Sequence, residues 1–221
     1  MSIKSVFAIP FAKRVRKRIY KWANNPVKTQ EKVFFKLISQ AKNTIFGLDH
    51  DFAEISGYDD FKKRVPINDY EGLRPYIDRM VAGEENVLWN GKPLYFAKTS
   101  GTTSGAKYIP ISKDSMPTHI KAARNALLMY IAENNDARFV DGKHIFLQGS
   151  PVLEEMNGVK IGRLSGIAAH YVPGYLQKNR MPSWETNCIE DWDVKVDKIV
   201  EETVNENMTI ISGIPSVSYT H

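Results

Sequence analysis

Apolar positions recur at helical spacing through the first third of the chain, then give way to short strand-like runs separated by helices. Phe11, Val15, Ile19 and Trp22 fall on one side of a helix from Phe11 to Trp22. Asn25-Pro26 opens a second helix, with Asn25 as N-cap and Pro26 at the first helical position. Val33, Phe34, Leu37, Ile38, Ala41 and Ile45 form its apolar stripe, and Gly47 is its expected end. Asp59 or Asp60 starts a short helix that Val65-Pro66 terminates. Asn68 or Asp69 starts the next, with Leu73, Ile77, Met80 and Val81 inward and Gly83 as the stop. Residues 87–89 read as a strand, turned by Asn90-Gly91 into a partner strand over 93–98. A strand is expected at Tyr108 to Ile111. Ser112 then caps a helix to about Glu133, with Ile120, Ala123, Leu127, Leu128 and Ile131 buried. A strand from His144 to Gln148 follows. Gly149 to Gly174 has no clean period and reads as loops and short strands. A helix over 190–204 buries Trp192, Val196, Ile199, Val200 and Val204, and Met208 to Ile211 is a buried strand. Helices and strands alternate from Lys92 onward, which predicts an α/β core with parallel strands.

Between the runs Leu94-Tyr95-Phe96-Ala97 and Tyr108-Ile109-Pro110-Ile111 lies Thr99-Ser100-Gly101-Thr102-Thr103-Ser104-Gly105-Ala106-Lys107. This stretch has five hydroxyl residues and two glycines. No carboxylate occurs from Asn86 to Lys113, whereas Lys92, Lys98, Lys107 and Lys113 all fall there. Hydroxyls, close-approaching backbone N–H groups and positive charge suit a polyphosphate. A flexible Ser/Gly linker is disfavoured, because the stretch is short, held between apolar strands and closed by a lysine. It is not a Walker A loop: three residues separate Gly101 from Gly105, and Ala106 precedes the lysine. The dinucleotide fingerprint Gly-x-Gly-x-x-Gly is also absent.

The 221 residues, 43% hydrophobic, suffice for a real core, as one large domain or two small ones. Cys188 is the single cysteine, so an intrachain disulfide or a cysteine metal site is excluded; it reads as an inert thiol in a reducing cytoplasm. His50 between Asp49 and Asp51 reads as a polar cap rather than a metal site, and His119 as a boundary residue. The net charge is +5, yet residues 1–30 hold eight Lys and Arg and no acid, so the remainder carries −3. Such a basic arm meets nucleic acid or an anionic membrane, or packs on its own protein; the last is favoured. Ser5 to Phe11 is too short and too broken by Pro10 for a signal peptide. The arm is Arg-rich and acid-poor like a transit peptide, but has little serine. No run approaches the roughly 20 apolar residues of a spanning helix.

The hydroxyl stretch resembles the phosphate-binding signature of adenylate-forming enzymes. Phe61-Lys62-Lys63-Arg64-Val65-Pro66-Ile67-Asn68-Asp69-Tyr70-Glu71, Leu73-Arg74-Pro75-Tyr76-Ile77, Gly83-Glu84 and Ile211-Ser212-Gly213-Ile214-Pro215 narrow the likeness. Together they are similar to the auxin-responsive-promoter family of acyl acid–amido synthetases, over residues from about 20 to 216. The resemblance implies an α/β fold of mixed sheets flanked by helices, part of the large N-terminal domain of an adenylate-forming enzyme and incomplete. Residues 1–24 would be a basic helical arm and 25–221 a partial N-terminal domain. Family members are more than twice as long, and their later motifs and small mobile C-terminal domain have no counterpart here. The implied reaction is ATP-dependent activation of a carboxylic acid, then amide formation with an amino acid, with Mg²⁺ bridging the phosphates. Thr99, Ser100, Gly101, Thr102, Thr103, Ser104 and Gly105 would hold ATP, with Thr102 and Lys107 as the catalytic pair; Arg124, beside the apolar stripe of its helix, reads first as an exposed or ion-paired arginine and otherwise as the cation on the acyl carboxylate. The expected partners are these two small molecules, without nucleic acid or membrane, and the isolated chain is expected to be inactive. An aryl- or acyl-CoA ligase, a non-catalytic nucleotide- or nucleic-acid-binding fragment, and a truncated product without function remain alternatives.

Overall fold

The computed structural model describes residues 3–99 and 105–213. In chain order its helices are α1 (Ile3–Ala23), α2 (Pro26–Ala41), α3 (Ile45–Asp49), α4 (Tyr58–Arg64), α5 (Tyr70–Val81), α6 (Met116–Asn134), α7 (Leu164–Ala169), α8 (Gly174–Gln177), α9 (Trp184–Cys188) and α10 (Trp192–Thr203). Its strands are β1 (Tyr95–Lys98), β2 (Tyr108–Ile111), β3 (Lys143–Leu147), β4 (Glu154–Met156), β5 (Val159–Gly162), β6 (Arg180–Met181) and β7 (Met208–Gly213). The chain divides into two compact units. One comprises Met1–Ile19, Thr118–Leu153 and Gly162–His221; the other comprises Tyr20–Pro117 and Glu154–Ile161.

The second unit carries the sheet β2-β1-β5-β4. β1 and β2 pair antiparallel, Tyr95 opposite Ile111 and Lys98 opposite Tyr108. The stretch between them is too short for a parallel crossover, so the expectation of parallel strands fails here. β4 and β5 are antiparallel too. Asn157 and Gly158, with φ +50° and +78°, make the tight turn between them. Phe96, fully buried, packs with Met80, Val87, Val159 and Ile161. A second cluster joins Ile38 and Ala41 of α2 to Phe52 and Ile55, bordered by Phe34 and Phe61.

Several expected boundaries move for local reasons. Pro26 starts α2, but Asn25 makes no side-chain cap bond to it; its amide donates back to the Lys21 carbonyl at 3.3 Å. α2 ends at Ala41 rather than at Gly47. The buried Thr44 hydroxyl donates to the Ala41 carbonyl (2.7 Å) and accepts from Gly47 N–H (3.0 Å), closing one helix and opening the next. Gly47 lies inside α3, where a Cβ would meet the Ala41 carbonyl oxygen at 2.1 Å. Close backbone approach is its role, not termination. Residues 87–89 are not a strand. The carbonyls of Asn86 and Val87 accept from Ile45 and Phe46 N–H (2.8 and 3.0 Å). The Asn86 side chain accepts from Gly91 N–H (2.8 Å). Those backbone acceptors are therefore committed to α3 and not to a ladder. Asp69 caps α5 as expected, its carboxylate accepting from Gly72 N–H at 2.9 Å.

The first unit holds the parallel sheet β6-β3-β7, as the alternating pattern predicts. Ala12 and Val15 of α1 bury against Leu128, Ile131, Ala132 and Ala137. Phe11, expected beside Val15, is instead half exposed. On α6, Leu128 and Ile131 are buried, but Ala123 and Leu127 are exposed. On α10 the buried line runs through Lys195 and Ile199, while Val200 and Val204 face solvent. Polar groups occupy this face because they find partners. Lys195 Nζ donates to the Asn187 carbonyl at 2.6 Å. Glu202 accepts from Ser183 N–H (2.6 Å), Ser183 Oγ (2.7 Å) and Thr186 Oγ1 (2.5 Å).

Glu202 makes stability pH-dependent. Burial pushes its carboxyl upward, but the bonds from Thr186 and Ser183 outweigh burial and hold its pKa below the ordinary glutamate value. A depressed pKa contributes stability above the unfolded value that is lost as pH falls through the folded one. Melting temperatures of the native protein and Glu202→Gln are expected to differ most at neutral pH and to converge on acidification. A gap that is constant or widens with acid would remove Glu202 from this role.

Candidate functional site

The hydroxyl stretch is set between β1 and β2 as the sequence places it. The antiparallel pairing extends one step past the strands. Thr99 N–H donates to the Lys107 carbonyl at 3.0 Å, and Lys107 N–H donates to Thr99 Oγ1 at 3.3 Å. Thr99 therefore closes the base of the bend with both backbone and side chain. Ser100, Gly101, Thr102, Thr103 and Ser104 lie outside the described residues. Gly105 has φ +80°, a left-handed conformation natural to glycine, and nothing stands within 4 Å of where its Cβ would be.

Lys107 Nζ lies 5.1 Å from the centre of the Tyr70 ring. The Tyr70 hydroxyl accepts from Tyr108 N–H at 2.9 Å. The Arg74 guanidinium lies 5.7 Å from the same ring and is paired with Glu71 at 2.7 Å. Tyr70 thus holds the strand that leaves the bend and places the lysine beside its own ring. On the strand that enters, Lys98 Nζ is 3.6 Å from a Glu154 carboxylate oxygen. The bend is flanked by Lys98, Lys107 and Arg74, two of which already face carboxylates. Lys107 has no ion-pair partner among the described residues.

Sequence reasoning overlooked Tyr70 as a site residue. Its signals were its place directly after the Asp69 cap and inside the run that carries the family resemblance, and its hydrogen-bond partner Tyr108 lies 38 residues away. Arg124 stands on α6 in the other unit, exposed, with its guanidinium 3.4 Å from the Asn125 side-chain oxygen. Among the described residues, no group of three or more His, Cys, Asp or Glu is placed to hold a metal ion. No helix there is long and apolar enough to cross a membrane.

A mixed α/β chain with a clamped, hydroxyl-rich bend defines the class; comparison with known proteins supplies the family. Residues 15–187 match the GH3 family N-terminal domain, and the chain belongs to that family. It is 29% identical over 105 residues to jasmonoyl–L-amino acid synthetase JAR4 of Nicotiana attenuata, covering 46% of this chain and 18% of that one. It is 40% identical over 62 residues to indole-3-acetic acid-amido synthetase GH3.15 of Arabidopsis thaliana, covering 27% of this chain and 10% of that one. The solved AtGH3.15 acyl acid amido synthetase in complex with 2,4-DB superposes with a TM-score of 0.66 at 20% identity, over 81% of this chain and 32% of that chain. That likeness shows a shared fold. The chain spans only a minor part of the length of these relatives.

Proposed function

We propose that this chain forms the ATP-gripping part of an acyl acid–amido synthetase. A carboxylate oxygen attacks the α-phosphorus of ATP, pyrophosphate leaves, and an acyl-adenylate forms. An amino acid nitrogen then attacks the acyl carbon, and AMP departs. The first step brings anion to anion, so it depends on positioned donors and cations. The carboxylate is already ionised near neutral pH, so no general base is needed for that step. The supporting observation is the hydrogen-bonded closure of the bend by Thr99 and Lys107, with the lysine ammonium over the Tyr70 ring and without an ion-pair partner among the described residues.

In this reading the backbone N–H groups and hydroxyls of Ser100, Gly101, Thr102, Thr103, Ser104 and Gly105 hold the phosphates. Thr102 donates to a phosphate oxygen and Lys107 neutralises charge as pyrophosphate separates. Arg124 is assigned to the acyl carboxylate. Mg²⁺ bound through phosphate oxygens and water would offset phosphate charge. The bend has no carboxylate of its own, so its hydroxyls are the groups that would face such a metal.

The complete reading frame, expressed and purified, is expected to exchange labelled pyrophosphate into ATP when given its acid. Indole-3-acetic acid and 4-substituted benzoates, named in its relatives, form the first panel. Hydroxylamine should trap the activated acid. Amino acids, and not coenzyme A, should accelerate AMP release; the opposite result identifies a thioester-forming ligase. Unchanged exchange by Thr102→Val would remove the bend from the mechanism.

A further inference from the structure

We propose that the outward side of α1 binds an anionic lipid surface. This inference does not depend on the adenylating site. The helix packs inward through Ala12 and Val15, which leaves its opposite side to solvent. Phe7, Phe11, Arg14 and Arg18 follow one another there at spacings of four, three and four residues, so they form one line along the helix. Val6, Lys13 and Lys17 lie alongside. Phe7 is 71% exposed, Val6 55% and Phe11 48%. Lys13, Arg14, Lys17 and Arg18 are all exposed. None of these four has an ion-pair partner among the described residues, and the pair that α1 does form, Arg16 with Glu133 at 3.4 Å, lies at the edge of the packed face. The sequence alone favours an arm folded onto carboxylates of its own protein; the structure satisfies that with one arginine and leaves four cations outward.

The arrangement separates two kinds of group along the helix. Apolar side chains occupy its first turns and cations the turns that follow. Anionic headgroups complement the cations, and the acyl boundary beneath them accepts Val6, Phe7 and Phe11. A nucleic acid backbone would complement the cations and leave the apolar end without a partner. A two-fold contact between copies of this chain would bring the same cations face to face.

The test is co-sedimentation of the full chain with phosphatidylcholine vesicles with and without phosphatidylserine. Binding is expected only when phosphatidylserine is present, and it should weaken as salt is raised. Arg14→Glu/Arg18→Glu and, separately, Phe7→Ser/Phe11→Ser should each lower the bound fraction about tenfold. Circular dichroism and melting temperature should match the native chain, because all four side chains are substantially exposed. Failure of the native chain to bind, or equal binding to vesicles without phosphatidylserine, overturns the proposal. So does retention by duplex DNA that Phe7→Ser/Phe11→Ser leaves intact, which would assign the face to nucleic acid. A dimer abolished by the arginine substitutions, with no vesicle binding, would assign it to a second copy.

Discussion

Lys107→Ala is expected to slow ATP–pyrophosphate exchange about a hundredfold in the complete protein while leaving its melting temperature nearly unchanged. The ammonium is unpaired among the described residues, so its loss removes no ion pair on which folding depends. In the proposed mechanism it acts in the transition state, where negative charge gathers on the departing pyrophosphate. The defect should therefore fall mainly on kcat, with a smaller rise in the KM for ATP. Tyr70 supplies an internal control. Tyr70→Phe keeps the ring beside Lys107 but removes the acceptor for Tyr108 N–H. Tyr70→Leu removes both. If Tyr70 acts by positioning, Tyr70→Leu lowers kcat further than Tyr70→Phe, and Lys107→Ala abolishes the difference between them. Additive losses in the double variants would show that the two residues act independently.

The bend, its flanking strands and the Asp69 cap were legible in the sequence because each is specified by neighbours along the chain. Glycines, hydroxyls and the apolar runs of β1 and β2 all lie within twenty residues or so. Features set by distant partners were not. Tyr70 gains its role only when β2 arrives beside α5. Residues 87–89 have a strand-like composition, but α3 takes the carbonyls of Asn86 and Val87. Thr44 falls inside the single helix expected up to Gly47 until its hydroxyl is seen bridging two helix ends. On α10 the apolar stripe misplaced the buried face, since Lys195 is buried and Glu202 half-buried, each with hydrogen-bond partners that periodicity does not register. The family likeness was legible for the same reason as the bend, being carried by short contiguous segments.

Phe96→Ala is the largest structural effect expected, about 3–5 kcal/mol by urea denaturation. The ring is completely buried among Met80, Val87, Val159 and Ile161, and stands edge-on to Tyr108 at 6.0 Å. Truncation leaves a cavity at the centre of the sheet that carries the bend. Because Tyr108 follows Lys107 directly, activity should fall along with stability even below the unfolding transition. Phe96→Leu keeps most of the volume and should cost less than half as much. A loss under about 1 kcal/mol for Phe96→Ala would mean the site collapses freely around the gap.

Glu154 to Ile161 belong with the unit otherwise formed by residues 20–117, and this imposes an order on biosynthesis. β5 lies beside β1 in the sheet, yet it is translated after the whole of α6 and β3. At about 5–20 residues per second, a nascent chain spends seconds with β1 as an open edge and Phe96 lacking two of its neighbours. Such an edge invites pairing with other chains. A recombinant piece ending at residue 117 would be held permanently at that stage, whereas one extended through Gly162 includes every strand the sheet requires.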